Sequence, residues 1–300
     1  MTRLPLLAFL ILLSQTAAPA AENWPGWRGP RGDGTATQAP NLPVAFSVET
    51  DTAWKTKIPG TGHASPIIWE DRIFLVTAEE ENTNRSLLSL NRKTGEILWQ
   101  KTVLKSDFED IHRLNSRASS TPVTDGERIF VSFLDGENMF IAAFDFEGNE
   151  LWKSRPGTFS SKHGYCSCPV LWNGKVIING DHDGDAYLVA LDQKTGEEIW
   201  KTERPNKTRS YCTPIIREID GRTQMILSGS LSVASYDPDT GDQHWVIDGP
   251  TEQFVASIVY HEDLNLLFMT CGFPQKHMLA LPPAGRRHVT KTHARRCAPP

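Results

Sequence analysis

No stretch of this 300-residue chain is long and apolar enough to cross a bilayer, which takes about 20 consecutive apolar residues. Positive charge is not in excess either: 31 Lys and Arg stand against 36 Asp and Glu, for a formal net charge of -5. Such a balance gives no electrostatic basis for binding nucleic acid, whose affinity rests on basic contacts to phosphate. Cysteine is scarce and odd in number, five in all (Cys166, Cys168, Cys212, Cys271, Cys297), so at least one thiol is left without a partner. No C-x-x-C pair offers half of a zinc site. The G-x-S-x-G elbow, the H-E-x-x-H zinc motif and a phosphate-binding glycine loop are also missing, which removes the hydrolases and nucleotide enzymes built on them.

The first residues carry an address. Arg3 precedes an apolar run, Leu4 to Leu13, broken only by Pro5, and small residues follow, ending in Ala18-Pro19-Ala20. That is the pattern of a secretory signal peptide cleaved near Ala20, over residues 1–20. The mature chain is expected to be periplasmic or secreted, without a membrane span. Export permits disulfides, but Cys166 and Cys168 lie two apart in an expected strand. Their Cα atoms would be about 6.7 Å apart, at the edge of disulfide geometry, so buried small hydrophobes are the expectation.

Aligning the chain on itself gives the main signal. Asn91-Arg-Lys-Thr-Gly-Glu-Ile-Leu-Trp99 recurs as Asp192-Gln-Lys-Thr-Gly-Glu-Glu-Ile-Trp200 and Asp237-Pro-Asp-Thr-Gly-Asp-Gln-His-Trp245, and one residue shorter as Asp145-Phe-Glu-Gly-Asn-Glu-Leu-Trp152. Ala53-Trp54-Lys55-Thr56 echoes the end of the unit. Upstream of each full unit stands a small residue and a proline: Ser65-Pro66, Thr121-Pro122, Cys168-Pro169 and Thr213-Pro214. Proline-to-tryptophan distances are 33, 30, 31 and 31 residues, so the unit is nearly rigid and length varies between units.

Each unit reads as four short strands, the first at the proline, the second apolar (Arg72–Val76, Arg128–Val131, Lys175–Ile178) and the third ending in Leu-Asp or its equivalent. The fourth carries the tryptophan. The Asp/Asn and Thr-Gly between the last two suit a tight turn. A period of about 45 residues with four strands and a fixed tryptophan predicts an all-β fold, a β-propeller of four-stranded antiparallel blades. Trp54, Trp99, Trp152, Trp200 and Trp245 are then structural, each filling the gap between adjacent blades.

These residues resemble the pyrroloquinoline-quinone-like (PQQ-like) propeller repeats, whose unit is close to L-x-A-L-D-x-x-T-G-x-x-x-W, over roughly residues 53–281. Asn23-Trp-Pro-Gly-Trp-Arg-Gly-Pro30, His182–Tyr187 and Arg204–Tyr211 look like a group of exported bacterial members common in planctomycetes. The family includes the quinoprotein alcohol dehydrogenases and, more distantly, the propeller of the outer-membrane barrel-assembly machine, and many members do not bind the quinone. The dehydrogenases typically carry adjacent cysteines beside the quinone, whereas here a serine separates Cys166 from Cys168. They are also about twice this length. Residues 21–52 form an N-terminal extension. The fifth unit opens at Phe254–Val259 without its proline, and no fourth strand or tryptophan is expected after Leu281. Residues 282–300 read as an irregular basic tail. Seven or eight blades would need roughly 315–360 residues, so about five are present, and an incomplete ring from a truncated or frame-shifted reading is expected.

Loops between blades and the turns between second and third strands share one face, where polar residues concentrate. On it lie His112, Arg113 and Asn115, then Lys162 and His163, then the turn of Asp181, His182, Asp183 and Asp185, then Arg204, Lys207, Arg209 and Tyr211. Such a face is the default ligand or partner site. Asp181, Asp183 and Asp185 are candidate calcium ligands, although the spacing lacks a downstream glutamate and favours a solvated turn. His112, His163 and His182 are candidate metal ligands only if the fold gathers them, and Arg204, Lys207 and Arg209 candidate anion ligands. No catalytic residue and no resident cofactor is expected. The leading expectation is a non-catalytic exported scaffold binding a protein partner or small ligand. The alternative, which the resemblance implies, is a quinone-dependent oxidoreductase with PQQ and calcium, or a relic of one.

Overall fold

The turn residues show why each unit folds back on itself. Asn91 Oδ1 accepts the N–H groups of Lys93 and Thr94 at 2.8 and 3.1 Å, and Asp192 Oδ1 those of Lys194 and Thr195 at 2.7 and 2.9 Å. The N–H of Gly95 and of Gly196 closes each turn on the Asn91 or Asp192 carbonyl at 2.9 Å. Both glycines sit at positive φ, 72° and 73°, which a side chain would strain.

The computed structural model of the chain describes residues 22–37, 44–160 and 162–283, together with two short strands at 287–288 and 295–296. The expected leader, Cys297 and most of the expected tail lie outside them. Among the described residues, twenty-one strands and one short helix, α1 (Val48–Asp51), make up the regular structure. The first sheet is β1 (Ile67–Trp69), β2 (Arg72–Glu79), β3 (Asn84–Asn91) and β4 (Ile97–Lys105). The second is β5 (Val123–Thr124), β6 (Arg128–Asp135), β7 (Asn138–Asp145) and β8 (Glu150–Ser154), and the third β9 (Val170–Trp172), β10 (Lys175–Gly180), β11 (Tyr187–Asp192) and β12 (Glu198–Glu203). The fourth holds β13 (Ile215–Ile219), β14 (Arg222–Gly229), β15 (Ser232–Tyr236) and β16 (Gln243–Asp248), joined on its outer side by β20 (Arg287–His288). β17 (Val259–His261), β18 (Leu266–Cys271) and β19 (His277–Leu281) make the fifth. Against expectation its fourth place is filled, by β21 (Arg295–Arg296), which pairs antiparallel with β19 and carries no tryptophan. In each sheet the four blade strands run as an antiparallel meander in chain order, β20 joining the fourth parallel to β16; none is closed into a barrel, and the architecture is the blade-built propeller the repeat predicts.

The cores lie between sheets, not within them. Ile129, Val131 and Phe133 of β6 pack toward Phe74 and Leu87 of sheet one, while Phe130 and Leu134 of the same strand pack toward Val176 and Val189 of sheet three. Both faces of a middle sheet are buried, which is why its central strands read as continuous apolar runs. Further clusters join sheet three to four through Leu188 and Met225, and sheet four to five through Ile226 and Leu267.

The repeating tryptophan links each sheet to the next. Trp99 aligns with Ser89, Trp152 with Ala143, Trp200 with Ala190 and Trp245 with Ser235, each followed by a register shift, so the four are equivalent. The indole N–H of Trp99 donates to the Phe146 carbonyl at 3.0 Å, that of Trp152 to Gln193 at 2.9 Å and that of Trp200 to Pro238 at 3.2 Å. Each acceptor follows the Asp that opens the next sheet's turn. The rings cover the turn glycines: a Cβ on Gly148, Gly196 or Gly241 would lie within 3.2 Å of Trp99, Trp152 or Trp200. Trp54 does the same to the first sheet, bonding the Arg92 carbonyl at 3.0 Å and covering Gly95. Trp245 departs from this pattern. The fifth unit has no Asp-x-x-Thr-Gly turn, and its indole donates instead to Gln224 Oε1 of its own sheet at 2.8 Å.

Candidate functional site

The segment before each proline builds a belt around the inner ends of the sheets. One residue before it, the Ser65 N–H donates to Thr121 Oγ1 at 3.0 Å, the Thr121 N–H to Cys168 Sγ at 3.3 Å and the Cys168 N–H to Thr213 Oγ1 at 3.0 Å. Two residues before it, Ser120 Oγ–H donates to the Ser167 carbonyl and Ser167 Oγ–H to that of Cys212, both at 2.9 Å, and Cys212 Sγ–H to that of Ala256 at 3.3 Å. Two parallel chains of side-chain bonds thus pass from sheet to sheet. Cys168 and Cys212 each hold the place of a hydroxyl, as acceptor and as donor. Both are buried, 3% and 1% exposed, and burial pushes their thiols up, Cys212 to about 12. The four described cysteines are free thiols.

Three residues before the proline, and at the matching Val255 of the fifth unit, which lacks it, the residues border an inner space. His63, Ser119, Cys166, Tyr211 and Val255, one from each of the five units, line an axial chamber of about 240 Å³. Thr213, Ser257 and Asn115 add polar groups, and the Trp27 indole bounds the chamber, its N–H donating to Ser257 Oγ at 3.1 Å. Burial, with Cys168 and Cys212 nearby, pushes the Cys166 thiol up to about 12, so it is a neutral group here.

Of the residues read from sequence as the loop face, Asn115 and Tyr211 reach this chamber. His112 and His163 stand beside it with ring centroids 5.2 Å apart at 77°, and His163 lies 5.9 Å from the Tyr211 ring. Asn115 Nδ2 donates to the His163 carbonyl at 2.7 Å. Burial and then the cations Arg209, His112 and Lys162 hold the His163 imidazole below its usual range. Arg113 and Lys162 are exposed.

The other candidates are spent on one another. Asp181 takes a bidentate bond from Arg204 at 2.8 and 3.0 Å, both side chains buried, and Arg204 also donates to Tyr236 Oη at 2.6 Å. Asp183 pairs with Arg209 at 2.7 Å and Asp185 with Lys207 at 2.6 Å. Three rungs clasp the turn of sheet three to the loop entering sheet four. The acids and bases that the sequence offers as calcium and anion ligands thus face one another across these two loops, and Asp181 is buried, not part of a solvated turn. His182 does not join His112 and His163. It is buried, stacked on Phe159 at 5.3 Å, with Nδ1 accepting the Ser160 N–H at 3.0 Å. Among the described residues no group of three or more His, Cys, Asp or Glu is placed to hold a metal.

His63, Ser119, Cys166, Thr213, Ser257 and Trp27 were missed. The first three share a signal in the alignment, a fixed distance from the proline, but not a residue type. Trp27 arrives by a long-range fold. Its segment bonds the inner strands, with Trp24 and Ile68 exchanging N–H···O bonds at 2.8 and 2.9 Å and the Thr124 N–H donating to the Pro25 carbonyl at 2.8 Å.

Sheets stacked by an Asp-x-x-Thr-Gly turn and a tryptophan around an axial chamber define a propeller of PQQ-like repeats. The chain belongs to the family described as outer membrane protein assembly factor BamB, whose sequence pattern matches residues 36–137 and 84–258. It is 24% identical over 270 residues to the polyvinylalcohol dehydrogenase of Sphingopyxis sp. (strain 113P3), covering 76% of this chain and 40% of that one. It is 32% identical over 118 residues to the quinohemoprotein alcohol dehydrogenase ADH IIB of Pseudomonas putida, covering 35% and 16%. Among solved structures, a europium-containing methanol dehydrogenase superposes with a TM-score of 0.52 at 13% identity, over 77% of this chain and 51% of that one. The chain therefore spans less than half the length of these curated relatives. No helix among the described residues is long and apolar enough to cross a membrane.

Proposed function

We propose that the chain is an exported scaffold that binds through its loop face, with the axial chamber receiving a small ligand or one side chain of a partner protein. The observation that carries this reading is the chamber itself, lined by residues from every unit, the loop residues Asn115 and Tyr211 among them. Its volume, about 240 Å³, lies just below that of sites for drug-sized ligands, and its aromatic walls with a few convergent polar groups are typical of binding sites. The clasp of Asp181, Asp183 and Asp185 with Arg204, Arg209 and Lys207 holds the surrounding loops in place without a partner.

A second reading, a quinone-dependent oxidoreductase, is favoured by the match to polyvinylalcohol dehydrogenase over 76% of the chain. The residues present fit that cofactor poorly. Cys166 and Cys168 both border the chamber, but they are not adjacent in sequence and Cys168 Sγ accepts the Thr121 N–H of the belt, and the aspartates nearest the loop face are already paired with cations.

Photo-crosslinking side chains placed at Lys162 and Asp185 on the loop face, and at Glu150 and Glu198 on outer strands, test the first reading in exporting cells. Adducts of higher mass are expected from the first two positions. Adducts from the outer strands alone would overturn it. Dialysis of the purified chain after loading with quinone and calcium separates the second reading: retained quinone absorbance with alcohol oxidation would establish it.

A further inference from the structure

Beyond the loop-face chamber, the Trp27 ring has a second side. Trp27, Thr213 and Ser257 border two chambers, so the indole is the partition between them. The second chamber, also about 240 Å³, lies between the N-terminal segment and the inner strands. We infer that this chamber is a binding site for a small monocarboxylic acid with an apolar body.

Its construction explains the Trp24-Pro-Gly-Trp-Arg-Gly-Pro30 segment that the repeats leave unexplained. The segment is tied to β1 through Trp24, to β5 through Pro25 and to β13 through the Arg31 carbonyl, which accepts from Arg217. Sheet three lies between these anchors, and its Pro169, Val170 and Leu171 form an open wall of the chamber. Glycine lets the opposite wall approach: a Cβ on Gly26 would stand 3.0 Å from Val123 Cγ2, and Gly29, at φ 78°, covers the Trp24 ring. The body of the chamber is apolar, with Val123, Leu171, Pro214 and Ile215 against Gly26 and Pro30.

Charge enters at one end, where Arg31 and Arg217 border the space. Arg31 is already matched, to Asp33 at 3.3 Å and Glu22 at 3.5 Å. Arg217 forms no ion pair among the described residues. Its guanidinium donates to two neutral carbonyls, of Ile216 at 2.8 Å and of Arg31, and Asp33 and Glu262 act on it only through space. Burial holds its pKa below the usual range, the mark of a cation short of compensation. A guanidinium has five donors in a planar fork that fits a carboxylate. The apolar walls then favour a ligand whose remaining atoms are hydrocarbon, and the volume limits it to a short chain or single ring.

Titration calorimetry of the whole chain with hexanoate, benzoate, hexanol and hexylamine tests the inference. Saturable binding is expected for the two acids, at least about tenfold weaker for hexanol, which lacks the charge-assisted bond, and absent for hexylamine. Arg217→Gln should remove that preference for the acids, and Leu171→Trp, which fills the chamber, should remove all binding. Tyr211→Ala, on the other side of the partition, should change neither, so failure here leaves the loop-face reading standing. Equal affinity for hexanoate and hexanol, an unaltered preference in Arg217→Gln, or no saturable binding of either acid would overturn the site. Should Arg217→Gln fail to fold, Arg217→Lys, which keeps the charge but loses the fork, is expected to weaken the acids and not hexanol.

Discussion

Histidines and buried ions set how the molecule responds to acid. Arg204 and Asp181 are buried together because each supplies the other's bonds, and a half-broken pair would leave a charge without water. His163 and His244 are different: neither gains a proton on folding. Burial and the neighbouring cations, Arg209, His112 and Lys162 for His163 and Arg222 for His244, hold both below the usual histidine range. In the unfolded chain they titrate near about 6.5, so between that value and their lower folded values the unfolded state binds more protons. Stability is therefore expected to fall as pH drops below about 6.5. Urea midpoints at pH 7.5 and 5.5 should show the loss, and the His163→Gln/His244→Gln double variant should lose most of the difference. A pH response unchanged in the double variant would assign it elsewhere.

At the scale of the element, stability passes through the contact of tryptophan and turn. Asp192 shows how the turn is held: burial alone would raise its pKa, but the N–H groups of Lys194 and Thr195 more than offset it and keep the carboxyl low. Gly196 then meets Trp152 of the preceding sheet, a Cβ there falling 2.5 Å from the indole at a φ of 73°. Trp152→Ala should cost about 3–5 kcal/mol. Gly196→Ala should cost about 2 kcal/mol or more where the indole is present, and about 1 kcal/mol, the backbone strain alone, where it is not. Denaturation of the two single variants and the double measures the coupling, and additivity within about 0.5 kcal/mol would dismiss the contact. This part of the fold was legible in the sequence because socket and plug lie four residues apart in one repeat. The site was less so. Asn115 and Tyr211 could be found as polar loop residues, but His63, Cys166 and Val255 share only a position. Asp183 and Arg209 looked like separate ligand sites because their pairing joins loops 26 residues apart.

For the whole molecule, each sheet depends on its neighbours. The sheets between others have strands buried on both faces, as in β6 and β7, whereas sheet five leaves Val259 42%, Phe273 56% and Met278 51% exposed. Amides of β18 and β19 are expected to exchange hydrogen at least about tenfold faster than those of β6, β7, β10 and β11, because the end sheet opens without its neighbours. Uniform protection across the sheets would mean that the fifth is covered. The first sheet is not equivalent to the fifth: Trp54 and Thr56 lie on its turn as Trp200 and Thr202 lie on that of sheet four, with Thr56 Oγ1 donating to the Gly95 carbonyl at 2.6 Å and Thr202 Oγ1 to that of Gly241 at 2.8 Å.

The tryptophan contact also has a grammar. Every unit from the first to the third contains both the turn that receives an indole and the indole that reaches the next turn. A unit copied whole therefore carries its own fittings for both neighbours, and one deleted whole leaves two compatible ends behind. Any change of length that respects the unit keeps every joint intact, while a cut inside a unit strands one indole and empties one turn. A gene built of such units can grow or shrink by recombination between its own repeats, and the molecule would meet each new length with joints already made.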